Sequence, residues 1–307
     1  MSLMNALPDK NIIELVARQM GISEAFVEKD WYVTQVLSTL TKIQHPGFQL
    51  VFSGGTALSK AHKLIERFSE DLDFIIVANP EPSRKVLSSY KKNLFQSIQN
   101  AGLKIKDNQI QSRNENRFFW FDIEYDTIFD RSQALRPHIQ IEMSCRTTQL
   151  RPVDRQVSSF VAELSKKPPE VEKISCLDPV ETAADKLSAL AWRVPDRDRS
   201  LPNDDPALVR HIHDLAKLKD IALKHKKFSE LVLACLKEDD DRPKNRAPTL
   251  GLSPKEKLER MIAIIEADTE YAWEYDRFVK GVAYSDVENT PTFENSLQAI
   301  HGYIKNV

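Results

Sequence analysis

The chain has 307 residues and a hydrophobic content of 41%, enough to fill the core of one large or two modest globular domains. Its 43 basic and 45 acidic residues nearly balance, so composition indicates no general affinity for nucleic acid or for membranes. The opening residues lack the features of a signal peptide, and no apolar run approaches the ~20 residues of a membrane-spanning helix, so we expect a cytoplasmic protein without a membrane partner.

The first half of the chain mixes helical and strand patterns. Apolar spacing predicts a helical region, a strand, a glycine pair, a helix and a buried strand, in that order, at residues 10–43, 49–53, 54–55, 56–68 and 71–77. A surface helix and two strands with period-two alternation follow at 83–101, 117–125 and 138–146. This order predicts an α+β arrangement around a mixed sheet.

The second half of the chain is predicted to be helical. After the KKPPE segment at 166–170 the strand signals disappear, and helices are predicted at residues 179–193, 206–225, 228–237, 254–267, 270–281 and 291–304. Asp178, Pro179 and Glu181 fit a capping box at the start of the first of these helices. We therefore expect a mixed domain over 1–165 and a helical domain over 166–307.

The glycine pair ends one predicted strand and begins a helix. Such a junction presents backbone N–H groups to an anion, and Gly54 and Gly55 let a phosphate approach the backbone closely. Thr56 and Lys60 would add a hydroxyl and a positive charge. The pair by itself favours an ordinary tight turn, so the phosphate site needs support from elsewhere in the chain.

That support comes from the strand that follows. Asp71 and Asp73 are two residues apart on it, so both carboxylates project from one face, roughly 6.5 to 7 Å apart along the strand. Mg²⁺ or Mn²⁺, together with substrate phosphates, compensates such a pair of acidic groups on a buried strand. Without a metal, the alternative is a solvated strand end.

A metal cradle would be completed by a third carboxylate from a neighbouring strand. Glu142, on the polar face of HIQIEMS, is our first choice, while Asp122 and Glu124 share a face of the other strand and compete with it. Each of the three is also compatible with an outward position on a half-exposed strand.

In the helical half, Lys186 and Arg193 lie seven residues apart and share one helical face, which is either a phosphate-binding wall or a solvated stripe. Arg210 and Asp214 have the spacing of a surface salt bridge. His211 and His213 cannot share a helical face, which argues against a two-histidine metal site in this helix.

Taken together, these residues resemble the AbiEii/AbiGii toxin family of nucleotidyltransferases, relatives of the DNA polymerase β-like minimal nucleotidyltransferases. The resemblance spans about residues 25–220 and is carried by four blocks, VEKDWYVTQVL at 27–37, GGTALSKAHKLIERFSEDLDF at 54–74, ETAADKLSALAWR at 181–193 and RHIHDLAKL at 210–218. The last block has His211 where an acidic residue is more frequent in the family.

The resemblance implies a role for each motif residue. It places the triphosphate of an NTP at Gly54 and Gly55, and Mg²⁺ at Asp71 and Asp73. Lys186 resembles a lysine that contacts the nucleotide phosphates, and Asp214 resembles an aspartate needed for activity. By the same resemblance, residues 1–165 form a polymerase β-like nucleotidyltransferase domain with N-terminal helices, and residues 166–307 form a helical domain that completes the active-site cleft.

The resemblance also implies a function and its partners. Such proteins transfer a nucleotide from NTP to an acceptor, which for some relatives is the 3′ end of tRNA, and many are toxins with a cognate antitoxin. An RNA acceptor would need a basic rim, for which the candidates are Lys60, Lys63, Arg67, Lys186, Arg193, Arg197 and Arg199. Three rivals use similar residues: another metal-dependent enzyme such as a kinase-like phosphotransferase or a nuclease, a sugar-transferring enzyme, and a catalytically idle binding protein.

Overall fold

The computed structural model describes residues 7–43, 45–106, 110–130, 132, 134–202, 204–241, 247–284 and 287–307. The chain divides into two compact units. The first, the sheet unit, comprises Met1–Lys63 and Phe68–Leu177, and the second, the helical unit, comprises Leu64–Arg67 and Asp178–Val307. The division therefore falls after a last strand that the sequence did not predict, and a four-residue segment from the first half of the chain belongs to the helical unit.

The sheet unit contains all strands among the described residues. Its helices are α1 (Lys10–Met20), α2 (Glu24–Lys42), α3 (Gly54–Thr56), α4 (Arg84–Asn100) and α5 (Phe160–Leu164). Its strands are β1 (Phe48–Ser53), β2 (Leu72–Ala78), β3 (Lys104–Ile105), β4 (Gln111–Arg113), β5 (Phe118–Glu124), β6 (His138–Cys145), β7 (Val153–Val157) and β8 (Val171–Cys176). The predicted strands are thus present, whereas the expectation of no strand after 166 is wrong, since β8 begins at Val171.

The strands form one mixed sheet in the order β3-β5-β6-β2-β1-β8-β7, with β4 paired to β5 within the described part of the chain. β2 runs antiparallel to β1 and parallel to β6. Its central place explains its nearly continuous run of apolar residues, because a strand with neighbours on both sides and helices above it meets little water. The predicted mixed sheet is confirmed.

Helices α2 and α4 cover the sheet. Both contribute apolar side chains to one core cluster with the strands, including Leu37 and Leu40 from α2 and Leu94 and Ile98 from α4, all of them fully buried. Most of α2 is buried, charged residues included. A helix that is buried on nearly all sides needs partners for its charges, which prove to lie beside the predicted site.

The predicted helix over 56–68 is wrong beyond its first turns. After α3 the chain makes a single π-helical turn, Ala57–Ala61, and Lys63 takes a left-handed backbone conformation with φ 55°. Leu64–Arg67 then enters the helical unit, where Arg67 forms an isolated β-bridge with Ala283. The apolar spacing favoured a helix, but contacts distant in sequence decide the conformation of this segment.

The helical unit consists of α6 (Pro179–Asp196), α7 (Arg210–Leu223), α8 (Phe228–Asp240), α9 (Pro254–Ala267), α10 (Glu270–Val282) and α11 (Phe293–Ile304). These match the predicted helices closely. Asp178 caps α6 by accepting a hydrogen bond from the backbone N–H of Val180 at 2.8 Å, and Pro179 is the first helical residue. α6 packs against α7, α8 and α9, so it forms the centre of this unit.

Candidate active site

The glycine turn brings the backbone against Asp73. Gly54 follows β1 with a φ of +74°, and a Cβ at this position would lie 1.9 Å from Oδ2 of Asp73. No other residue type satisfies both constraints, because a side chain would strain the backbone and collide with the carboxylate. Ser53 pairs with Asp73 across β1 and β2, and its hydroxyl donates to the Asp73 carbonyl at 3.2 Å. The turn and the carboxylate are therefore one structural feature.

Asp71 lies immediately before β2, two residues from Asp73, and its side chain is 27% exposed. The buried hydroxyl of Thr56 donates to the carbonyl of Asp71 and also contacts the hydroxyl of Ser69 at 3.0 Å. Thr56 was predicted to offer its hydroxyl to a phosphate. In the structure that hydroxyl fixes the backbone that carries Asp71, so it is already engaged.

A guanidinium group holds the Asp71 carboxylate. Nη1 of Arg136 lies 2.6 Å from Oδ1 of Asp71 and 2.6 Å from Oε1 of Gln140, and the Arg136 side chain is 41% exposed. A pair this exposed to solvent is weakly held, so Arg136 can exchange for another cation at Asp71. The sequence alone does not single out Arg136. The one sequence feature that could have identified it is its position, as a cation two residues before β6, the strand that pairs with β2.

Lys29 anchors the segment that presents Arg136. Its buried ammonium donates to the carbonyls of Arg136 and His138, each at 2.6 Å, and pairs with Glu70 at 3.0 Å. Burial lowers the pKa of Lys29 and raises that of Glu70, although each group opposes the shift of the other. Lys29 belongs to the VEKDWY motif. Charged residues within an otherwise apolar helix are the sequence feature that indicates buried charges with partners elsewhere in the chain.

The sheet register bears on the third carboxylate. Glu142 on β6 pairs directly with Asp73 on β2, so the two project from the same face of adjacent strands. Asp122 lies one strand further away, is buried, and has its Oδ2 3.4 Å from Nε2 of His138, while Glu124 is exposed. Among these three candidates the register favours Glu142.

No group of three or more histidine, cysteine, aspartate or glutamate residues in the described part of the chain has the spacing of a metal site. Two carboxylates suffice for Mg²⁺, which keeps several waters and takes further ligands from substrate phosphates. Asp71 and Asp73 fit that requirement, since they are close in sequence, partly exposed and made of oxygen donors.

Lys60 lies elsewhere than predicted. Its buried ammonium pairs with Asp30 on α2 and sits 5.1 Å from the ring centre of Phe160. Asp30 also accepts a hydrogen bond from the backbone N–H of Phe160 at 2.7 Å. Burial raises the pKa of Asp30, an effect that Lys60 opposes. Lys60 therefore neutralises a buried acid, and the structure commits its charge to α2.

In the helical unit, Asp214 is fully buried and held by two cations. Arg67 makes a bidentate contact, with Nε 2.7 Å from Oδ1 and Nη2 2.7 Å from Oδ2, and the Lys186 ammonium lies 2.9 Å from Oδ2. His213 adds a contact from Nδ1 to Oδ1 at 3.3 Å. Each carboxylate oxygen thus has two neighbours with hydrogen-bond donors. The predicted surface pair between Arg210 and Asp214 is wrong, because Asp214 faces this interior instead.

The charges of this cluster are mutually dependent. Burial alone would raise the pKa of Asp214, but Arg67 and Lys186 hold it well below its usual value, so the group is a carboxylate. Burial lowers the pKa of Lys186 in spite of Asp214. A saturated, buried carboxylate of this kind orients its two cations and does not accept a proton at neutral pH.

The remaining predicted residue, Arg193, pairs with Asp205 at 2.8 Å, and Arg210 approaches the same carboxylate at 3.4 Å. The basic rim expected for RNA is largely neutralised in the structure. Arg197 and Arg199 both pair with Glu274, and Lys63 pairs with Glu163. Charge counting along the sequence did not show that these cations have acidic partners far away in the chain.

A model of the family described as nucleotidyl transferase AbiEii toxin, type IV toxin-antitoxin system, matches residues 37–299. The chain belongs to this family. It is therefore a nucleotidyltransferase and the toxin type of a type IV toxin-antitoxin system, as the sequence resemblance implied. No curated protein matches the chain.

Among solved structures, the chain is similar to MenT4, a nucleotidyltransferase toxin from Mycobacterium tuberculosis H37Rv, with a TM-score of 0.52 and 16% identity over 94% of this chain and 98% of that one. This similarity supports the fold described above for this chain. A second match is the STING-associated CdnE c-di-GMP synthase from Capnocytophaga granulosa, with a TM-score of 0.28 and 11% identity over 98% of this chain and 88% of that one. No described helix is long and apolar enough to cross a membrane.

Proposed function

We propose that this AbiEii nucleotidyltransferase uses Mg²⁺ or Mn²⁺ to transfer a nucleotide from an NTP to RNA, with the 3′ end of tRNA as acceptor. The observation that carries this proposal is the pairing of Gly54 with Asp73. A turn residue without a side chain lies directly against the Asp73 carboxylate, and the second carboxylate, that of Asp71, lies two residues away in the sequence.

Asp71 and Asp73 would hold the metal, with Glu142 beside Asp73 as the third oxygen ligand. When bound, the metal would neutralise charge on the phosphates and on the leaving pyrophosphate. Gly54 and Gly55 would let the triphosphate approach the backbone, because neither residue has a side chain. Positioning of this kind is the main task of a protein that transfers a nucleotidyl group.

The helical unit would supply charge to the phosphates. Lys186 and Arg193 are the proposed contacts, and Asp214 acts through Lys186 by fixing the position of its ammonium. The roles proposed from sequence for Thr56 and Lys60 become indirect. Thr56 would fix the backbone of Asp71, and Lys60 would stabilise α2 through Asp30.

A transfer assay tests the proposal. Each of the four labelled NTPs is incubated with total tRNA and Mg²⁺, and the labelled RNA is resolved by length. We expect one or more NTPs to lengthen tRNA. Asp73→Asn should reduce this transfer by about 10³-fold, since metal-bound charge stabilisation contributes several kcal/mol. The matched control Asp154→Asn, an exposed acid on β7, should leave it unchanged.

The rivals give other products in the same assay. Shortened RNA would indicate a nuclease, and transfer of the terminal phosphate alone would indicate a kinase-like phosphotransferase. A protein that binds NTP without any transfer, and whose toxicity survives Asp73→Asn, would be an idle binding protein. Each of these outcomes would replace the proposal.

As a type IV toxin, the chain is expected to act with an antitoxin, and we propose that the antitoxin is a protein. Co-expression of the toxin with the neighbouring open reading frame, scored by growth, tests this partner. Restored growth supports it, while growth arrest that the neighbour never relieves would contradict it.

A further inference from the structure

His211 is half-buried, and its ring has no hydrogen-bond partner among the described residues. It is the second residue of α7, and both ring nitrogens, Nδ1 and Nε2, are buried and make no hydrogen bond within the described part of the chain. A neutral imidazole has one donor and one acceptor nitrogen, and leaving both unsatisfied away from water costs free energy. Because no described residue satisfies the ring, the site has room for a partner from outside the chain.

The surroundings of His211 identify the kind of partner. The neighbouring cations are Lys186 and Arg193 from α6 and Arg210 from α7, all of which are donors. The neighbouring acceptor is Asp214, whose oxygens are already engaged by Arg67 and Lys186 and by His213. The cluster is therefore rich in donors and lacks a free acceptor beside the ring.

The charges of the groups around His211 also favour an anionic ligand. The cations of the cluster are Arg67, Lys186, Arg193 and Arg210, and the anions are Asp205 and Asp214. Burial, followed by the nearby cations, lowers the pKa of His211 well below its usual value, so the ring is neutral at pH 7. These ion pairs contain four positive and two negative charges, and an anion with several oxygens is the kind of ligand that such a set of donors binds.

We propose that His211 is a ligand for the phosphates of the nucleotide, donating a ring N–H to a phosphate oxygen beside Lys186 and Arg210. The identity of the ligand rests on the proposed function, since an NTP or its product pyrophosphate is the oligophosphate that the enzyme meets. The sequence alone gives His211 no role, and the structure places it near three cations, Lys186, Arg193 and Arg210.

A bound oligophosphate would also change the proton balance of the site. Its negative charge opposes the effect of Lys186, Arg193 and Arg210, which raises the pKa of His211, while Asp214 stays ionised between its two cations. The ring therefore takes up a proton as the anion binds. Lowering the pH should therefore favour pyrophosphate binding more in the wild type than in a variant without the imidazole.

The test uses the full chain without metal, in EDTA, so that Asp71 and Asp73 do not contribute a metal-bound site. Histidine ring nitrogens are labelled with ¹⁵N, and their NMR signals are followed during titration with inorganic pyrophosphate and, separately, with ATP, GTP, CTP and UTP. We expect the His211 ring signals to shift towards the protonated form. Calorimetry in two buffers of different ionisation enthalpy should record proton uptake.

The matched variants are His211→Asn and His301→Asn, the latter an exposed histidine on α11 that pairs with Glu266. We expect His211→Asn to weaken pyrophosphate binding about tenfold, the size of a hydrogen bond to a charged group, and to abolish the proton uptake. His301→Asn should change neither. Unchanged melting temperature and circular dichroism show that both variants fold.

The outcomes separate this proposal from the proposed function. If pyrophosphate fails to bind, or binds equally to His211→Asn without moving the His211 signals, the phosphate ligand is overturned, whatever the transfer assay gives. If the His211 signals shift and proton uptake depends on His211, the phosphate site stands even when no RNA is lengthened. In that case transfer to RNA is the part that fails.

Discussion

Asp71 and Asp214 are both paired with an arginine at nearly the same distance, 2.6 and 2.7 Å, yet their surroundings differ completely. The side chains of Asp71 and Arg136 are 27% and 41% exposed, whereas those of Asp214 and Arg67 are 0% and 4% exposed. Solvent weakens the attraction between Asp71 and Arg136, whereas the attraction between Asp214 and Arg67 is stronger because water is excluded. An ion pair at a candidate site is therefore informative only together with its burial.

The difference assigns different tasks to the same residue type. An exposed carboxylate can give up its arginine for a metal, because water compensates both groups during the exchange. A buried carboxylate cannot, because removing a partner leaves an uncompensated charge in the interior. The same substitution is thus expected to lower the stability of the fold strongly at Asp214 and only slightly at Asp71.

The largest effect is expected on stability from Asp214→Asn. It leaves Arg67 and Lys186 buried without their anion, which should lower the free energy of unfolding by about 3–5 kcal/mol. Urea denaturation followed by circular dichroism measures this. Lys217→Gln is the control, because Lys217 lies on the same helix and pairs with Glu66 of the same segment, but at the surface.

Asp71→Asn is the counterpart. It should change the free energy of unfolding by less than about 1 kcal/mol, as for an exposed pair, while transfer activity is lost. Equal destabilisation by Asp71→Asn and Asp214→Asn would remove the distinction between the two regions.

Gly54→Ala is expected to have the next largest effect. The new methyl group meets Oδ2 of Asp73 and a φ of +74°, so we expect a loss of about 1–3 kcal/mol in stability together with a displaced carboxylate and reduced transfer. Gly21→Ala is the matched control, with a φ of +67° and no atom within 4 Å of the new Cβ. It carries the backbone strain without the collision, so transfer should persist.

The pH dependence of stability tests the helical unit. The pKa of His211 in the folded chain lies well below its usual value. Below about pH 6.5 the ring is therefore protonated in the unfolded chain but not in the folded chain, and this favours unfolding. The wild type should lose up to about 1.4 kcal/mol per pH unit from this group. His211→Asn should lack that part of the slope between pH 6.5 and 5, measured by urea denaturation at each pH.

Asp214 behaves differently in the same experiment. Its folded pKa is depressed, so its contribution to stability is complete above about pH 4 and is lost only as the pH falls further, through the folded value. If the free energy of unfolding has the same slope between pH 6.5 and 5 in the wild type and in His211→Asn, the pKa of His211 is not lowered in the folded chain.

The smallest effect is expected from Arg136→Gln. Removing the cation that competes for Asp71 should increase the affinity for Mn²⁺ about fivefold, a change of about 1 kcal/mol. Electron paramagnetic resonance of free Mn²⁺ measures this without nucleotide. Arg117→Gln, which loses a partly exposed pair with Glu81, serves as the control. Weaker Mn²⁺ binding in Arg136→Gln would show that Arg136 supports the metal site.

The sequence predicted the helices and central strands well, because periodicity and capping are local properties. It also placed Asp71 and Asp73 beside a glycine turn, although not the contact between Gly54 and Asp73. It failed where partners lie far apart in the chain. The spacing of Arg210 and Asp214 suggested a pair, whereas burial and Arg67 determine the actual partners.

Residues 56–68 show the same limit. Their composition favours a continuous helix, but the chain turns at Lys63 so that Arg67 reaches Asp214. Lys60 likewise pairs with Asp30, thirty residues earlier. Propensity operates within a few residues, and a buried charge can override it when its compensation requires a distant partner.

The segment Leu64–Arg67 has a consequence for how the chain is made. Arg67 is synthesised 147 residues before Asp214, so this ion pair of the helical unit cannot form until Asp214 has emerged from the ribosome. Closing so long a loop costs entropy and slows folding relative to an ordinary helical bundle. For the same reason a gene split after codon 177 would separate Arg67 from Asp214, and residues 178–307 produced alone would lack one of the cations that keep Asp214 ionised.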